Sequence, residues 1–204
     1  MTDNSLKFKS IDFSAQPKRC VIALHGWTGN QESFVPIAQR LKINSTRWYF
    51  LQGPYQVSEK QWSWHYRDND QWILAPAKER LRSFLLDIAF KEFSPLDIYL
   101  IGFSQGATVI YNSCLDMEQT IGGLFPIAGY SGKTYGSLHK NQKNTKILIG
   151  HGRDDDIVPV SESISINNYL QEHSTNTELY LYNGKHKISF NYLNKFSSAI
   201  SNGN

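Results

Sequence analysis

Short apolar runs recur along this chain. Each is stopped by a turn residue and followed by a helical pattern, and that alternation limits the accessible folds more than any other feature. Residues 20–25 (CVIALH), 48–51 (WYFL), 97–103 (DIYLIGF), 147–150 (ILIG) and 178–182 (ELYLY), with a run inside 121–128, have the length and side-chain content of strands. Runs this apolar, with little alternation, suit strands covered on both faces. Between them, Leu81, Phe84, Leu85, Ile88 and Phe93 recur at near-helical spacing behind Pro76, which suits a first helical turn. Helical patterns also cover 105–117, 159–171 and 186–200. Buried strands alternating with helices predict a three-layer α/β architecture, a mostly parallel sheet with helices on both faces.

The 204 residues suit one compact domain over 1–204, with the polar segment 1–18 expected at its periphery. With 40% hydrophobic and 19% charged residues, such a chain can bury a core without disulfides or metals. The two cysteines, Cys20 and Cys114, fall in an apolar strand and a helix and read as buried free thiols rather than a disulfide or zinc framework. The six histidines show no metal-ligand spacing such as H-E-x-x-H, so no metal or other cofactor is expected. A net charge of +3 from scattered basic residues does not suggest nucleic-acid binding. No segment has the length and apolarity of a signal or membrane span, which makes a cytoplasmic protein the default. Oligomeric state is not legible. The polar stretches 54–70 and 131–146 read as long loops, which in compact domains are often functional.

The sharpest local signal is Gly102-Phe103-Ser104-Gln105-Gly106, a G-x-S-x-G pattern between an apolar strand and a helical stretch. A serine held on so tight a turn needs small neighbours. Its hydroxyl would stand above the strand's end, at the positive terminus of the following helix. Alone, the pattern fits a capping serine equally well; the strand and helix around it favour a nucleophile.

A serine hydroxyl needs a base, and the base an orienting group. For a strand-to-helix serine the order expected is acid, then histidine, each in a loop after a later strand. Asp154, Asp155 and Asp156 follow the strand at 147–150, and spacing does not choose among them. One could instead cap the next helix. His186 follows the last strand; His65 and His139 precede the acids, and His173 precedes that strand. Acyl transfer also needs two N–H donors for the developing oxyanion. The N–H of Gln105 and that of Trp27, in the glycine turn after the first strand, are the candidates.

Four segments in order, LHGWTG, GFSQGA, HGRDDDIVP and GKH, resemble the carboxylesterase and lysophospholipase family of α/β-hydrolases that includes the acyl-protein thioesterases. The resemblance covers nearly the whole chain and implies an α/β-hydrolase fold without a large cap domain. The family's H-G-x-x-D-x-x-V-P motif falls on His151, Gly152, Asp155, Val158 and Pro159, which selects Asp155 as the acid. The implied chemistry is cleavage of a small-molecule or lipid acyl ester or thioester through an acyl-enzyme on Ser104. Carboxylesterase, lysophospholipase and protein depalmitoylase activities would share it; a non-catalytic binding protein on the same fold is the alternative. The chain departs from the family's eukaryotic thioesterases after the first H-G, with Trp27-Thr28-Gly29-Asn30 in place of L-G-D, which leaves the substrate class open. The segment 51–55 resembles the family's proline-containing segment. The aromatics beyond it, Trp62, Trp64, Tyr66 and Trp72, with His65 among them, either wall an acyl or aryl pocket or pin the loop to the core.

Overall fold

The computed structural model describes residues 5–69, 71–130, 138–173 and 175–201. In chain order the elements are β1 (Phe8–Asp12), β2 (Arg19–Leu24), α1 (Val35–Leu41), β3 (Thr46–Leu51), the short strands β4 (Tyr55–Ser58), β5 (Gln61–Ser63), β6 (Tyr66–Asp68) and β7 (Gln71–Ile73), and α2 (Ala75–Phe84). A π-helical turn, Leu85–Ala89, joins α2 to α3 (Phe90–Glu92). Then come β8 (Ile98–Phe103), α4 (Gln105–Cys114), β9 (Gly123–Ile127), β10 (Lys146–Gly152), α5 (Val160–Glu172), β11 (Thr177–Tyr182) and α6 (Phe190–Ser201).

One seven-stranded sheet runs in the order β1-β3-β2-β8-β9-β10-β11. All its pairings are parallel except β1 with β3. The two-residue period of a strand sorts its side chains to opposite faces. Cys20, Ile22 and Leu24, with Leu100 and Ile149, pack against Leu81 and Leu85 of the α2 region, Val109 and Ile110 of α4, and Ile166 of α5. The alternate residues Val21, Ala23, Ile101 and Leu148 pack against Ala38 of α1 and Tyr192, Phe196 and Ile200 of α6. Helices therefore cover both faces, as the sequence pattern predicts. The fold is that of an α/β-hydrolase, with no large cap among the described residues.

Two expectations change. Segment 1–18 is not merely peripheral, because Phe8–Asp12 adds the antiparallel edge strand. There the Phe8 ring packs edge-on against Tyr49 and Phe84, with centroids 5.7 and 5.3 Å away, and Arg47 binds Asp12 at 2.7 and 2.9 Å. Its alternating charged residues kept it from reading as a strand, yet charge is what blunts an exposed sheet edge. The stretch 54–70 is not a loop either. It folds into a β4–β5 hairpin and most of a β6–β7 hairpin, each too short to show a two-residue period in sequence. Of the other expected loop, 131–137 lies outside the described residues. Cys20 and Cys114 are buried and free, and burial pushes the Cys114 thiol up to about 12.

Candidate functional site

The parallel strands β2, β8, β10 and β11 end at the same edge of the sheet, and each hands on to a segment carrying a candidate residue. Ser104 sits between β8 and α4 with φ 53° and ψ −116°, a conformation non-glycine residues rarely adopt. Its N–H donates to Ile127 O at 2.8 Å, which fixes the turn to β9, and its C=O accepts the Thr108 N–H at 3.1 Å. The flanking glycines follow from contact. A β-carbon on Gly102 would lie 2.6 Å from the backbone of Gly106, and one on Gly106 would lie 2.2 Å from Leu24 O. The first turn of α4 is thus pressed directly onto the end of β2.

That contact brings the turn after β2 beside the serine. A β-carbon at Gly26 would come within 3.4 Å of Ser104 Cβ. The turn closes with Gly29 N–H to Gly26 O at 3.0 Å, and Thr28 takes φ +63°. Among the described residues the Trp27 N–H makes no backbone hydrogen bond, and the Trp27 side chain is 57% exposed. Gln105 is the first residue of α4, so its N–H has no acceptor within the helix.

His25 braces this turn from below. Its Nδ1 lies 2.6 Å from Gly26 O, and its Nε2 lies 2.9 Å from the Gly53 nitrogen. A carbonyl only accepts and a backbone N–H only donates, so the proton sits on Nδ1. Burial lowers its pKa to about 4, against a smaller opposing effect of the Gly26 bond, and the ring is neutral near pH 7.

The acid and histidine loops are tied to one another. Arg153 N–H donates to Tyr182 O at 2.8 Å, and Asp154 N–H to Gly184 O at 3.1 Å. Asp155 Oδ2 accepts from His186 Nδ1 at 2.8 Å, and the Asp155 side chain is fully buried. Its Oδ1 accepts the N–H groups of Ile157 and Val158, both at 2.9 Å. Burial pushes the Asp155 carboxyl up, but these bonds outweigh it and hold it below the usual range. Asp156 pairs instead with Lys185 at 3.0 Å, and Asp154 is exposed. Helix α5 has no side-chain cap, so none of the three acids serves there. With Nδ1 on Asp155, His186 keeps Nε2 for a proton acceptor's role. Its ring lies 4.7 Å from that of Phe103, the residue before Ser104. Among the described residues no hydrogen bond joins the Ser104 hydroxyl to His186. In unliganded sites such bonds often form only with substrate.

The sequence gives no hint of a second histidine on this carboxylate. His151, fully buried at the end of β10, has Nε2 3.0 Å from Val158 O and 3.2 Å from Asp155 Oδ2. Its Nδ1 is 2.6 Å from Ser163 Oγ on α5.

Of the pocket aromatics, Trp64 is corrected: it pins the hairpins to the core. It is fully buried, packs with the cluster around Leu81 and Ile110, and donates its indole N–H to His25 O at 2.8 Å. Trp62 is half-buried; its N–H bonds Gly29 O at 2.9 Å, and the Lys7 ammonium lies 5.9 Å from its ring. Tyr66 is exposed, with its ring on Tyr55 at 4.9 Å. These hairpins are locked to the serine turn by the Gln105 side chain. Its Oε1 accepts the Ser63 hydroxyl at 3.0 Å and the Trp64 N–H at 3.2 Å. His65 is buried, its Nε2 has no hydrogen-bond partner among the described residues, and burial lowers its pKa to about 4. Grooves of about 350 and about 310 Å³ lie elsewhere, at Lys146, Glu178 and Lys195 and at Leu6, Phe8 and Phe84. Among the described residues no helix is long and apolar enough to cross a membrane.

A family model described as phospholipase/carboxylesterase matches residues 9–203. Acyl-protein thioesterase 1 of Kluyveromyces lactis is 28% identical over 97 residues, 46% of this chain and 42% of that protein. The Saccharomyces cerevisiae protein of the same name is 34% identical over 86 residues, 40% of this chain and 37% of its own length. The chain therefore matches about two-fifths of each curated relative. A Bacillus cereus carboxylesterase structure superposes with a TM-score of 0.83, covering 100% of this chain and 97% of the other at 19% identity, which speaks to the fold alone.

Proposed function

Because this chain belongs to the phospholipase/carboxylesterase family, we propose that it hydrolyses carboxylic esters or thioesters through an acyl-enzyme on Ser104. The observation that carries the proposal is the 2.8 Å bond between the buried Asp155 carboxylate and His186 Nδ1, beside a strained serine turn. Asp155 fixes the tautomer of His186 and leaves Nε2 to take the hydroxyl proton. Ser104 Oγ attacks the acyl carbonyl as that proton moves to His186. The oxyanion forms beside the N–H groups of Gln105 and Trp27, each worth ~3 kcal/mol in the transition state. Collapse expels the alcohol or thiol, which takes the proton from His186. Water, deprotonated by the same imidazole, then releases the acid and regenerates Ser104.

The names of the two yeast relatives favour keeping thioesters beside oxygen esters as substrates. Trp62 and Tyr66, on hairpins tied to Gln105, supply apolar surface for the acyl or leaving group. A fluorophosphonate should label the chain at Ser104, and Ser104→Ala should abolish both labelling and turnover. Labelling that survives the substitution refutes the assignment. A series of p-nitrophenyl esters of increasing chain length, run beside an acyl-thioester, then distinguishes the substrate classes.

A further inference from the structure

We propose that His151 is a positioning residue that holds the Asp155 carboxylate in register with His186, and that Ser163 sets the tautomer in which it does so. The inference rests on the reading of Asp155 and His186 given above. His151 Nε2 faces two groups that only accept, Val158 O at 3.0 Å and Asp155 Oδ2 at 3.2 Å, so this nitrogen carries a proton. In the neutral ring Nδ1 then accepts, and the Ser163 hydroxyl, 2.6 Å away, donates to it. Both side chains are fully buried, where each polar group must find a partner and the arrangement has few alternatives.

The ring acts on Asp155 in two ways. Through Val158 O it fixes the residue whose own N–H bonds Asp155 Oδ1 at 2.9 Å. At 3.2 Å its N–H dipole also shares the oxygen that receives His186. Oδ2 therefore stands between two imidazoles: one packs on Phe103, the residue before Ser104, and the other is anchored to α5. The second imidazole draws off part of the carboxylate's charge. Without it, Asp155 would stabilise the His186 imidazolium more strongly and hold it in a less defined place.

The test compares kcat/KM against pH on a p-nitrophenyl ester for the full chain and for His151→Leu, His151→Gln, Ser163→Ala and Asp155→Asn, with thermal unfolding in parallel. His151→Leu should lower kcat about tenfold, as small displacements of a catalytic group do. It should also raise the acid limb of the profile by roughly half a unit, the direction expected when the carboxylate loses a donor. His151→Gln, which keeps an N–H near the Nε2 position, should restore part of both. A folded His151→Leu with an unmoved acid limb overturns the proposal, whatever its kcat. Should that variant not fold, Ser163→Ala decides: a limb moved the same way supports the proposal, and an unmoved one overturns it. Asp155→Asn separates the two levels. If it turns over normally, the underlying assignment of Asp155 fails; if it is inactive while His151→Leu matches the parent, only the role of His151 fails.

Discussion

Replacing Gly106 with alanine adds one methyl group to the tightest contact around the serine turn. The new β-carbon would lie 2.2 Å from Leu24 O and 2.7 Å from His25 O, where ordinary contact begins near 3.4 Å. Both atoms belong to backbone, one ending β2 and the other opening the turn that carries Trp27, so no side chain can swing away. The first turn of α4 must retreat from the sheet by about 1 Å. Alanine is favoured over glycine within a helix by about 1 kcal/mol, which opposes the loss. Overpacking costs of about 1–3 kcal/mol equal or exceed that gain, leaving a net destabilisation of up to about 2 kcal/mol. For a chain of this size that lowers Tm by up to roughly 8 °C. Turnover should suffer more, because the same movement carries the Gln105 N–H away from Trp27, and a 1 Å misplacement can cost about 100-fold. Urea unfolding and p-nitrophenyl ester hydrolysis on the same preparation read both effects. A variant with parental stability and turnover would show that α4 and β2 are not in the contact described.

Trp64→Phe keeps most of the buried ring but leaves His25 O without its donor, so it should cost about 1–3 kcal/mol in urea unfolding. Chain-length preference on p-nitrophenyl esters should stay unchanged; altered preference at full stability would put Trp64 back in the pocket. Stability should also fall on acidification. Burial lowers the pKa of His25 and of His65 from 6.5 to about 4, so the unfolded chain binds more protons between those values. Each histidine's contribution, at most about 3 kcal/mol, is complete above pH 6.5 and lost progressively as pH falls to about 4. The depressed Asp155 carboxyl acts only below its ordinary 3.8, outside this window. Replacing His65 by phenylalanine should flatten the pH dependence of the urea midpoint over pH 4–6.5, and an unchanged slope would refute its share.

The sheet was legible because its parallel strands are covered on both sides. Nearly every residue of β2, β8 and β10 is buried, which in sequence gives apolar runs ending where loops begin. The serine turn was legible because close backbone contact demands glycine on both sides. Among the acids, spacing alone left three open, and the choice of Asp155 came from the motif resemblance. What had no local signature arises from pairing distant residues. Phe8–Asp12 becomes a strand only because β3 lies open beside it, and the short hairpins hold together through Gln105, some forty positions onward. The aromatics of that region were ambiguous for the same reason: Trp64 is a core residue only because the hairpin folds back onto His25. His151 was visible as part of a motif, but its place against Asp155 depends on Ser163 of α5 and the Val158 carbonyl meeting its ring.

In the proposed mechanism Gln105 offers the developing charge an N–H, and it holds the hairpins with the oxygen of its side chain. Two properties that an engineer or an evolving lineage would want to vary separately are joined in one residue. Hairpins grafted from a relative to alter substrate choice would still have to present a hydroxyl and an N–H to that oxygen. A graft lacking them frees the side chain at the spot where the peptide above it must stay still. Changes of substrate in this scaffold should therefore come more readily from the exposed tips, around Glu59 and Asn69, than from Ser63 and Trp64 at the hairpin bases. The tips can diverge while the anchor stays.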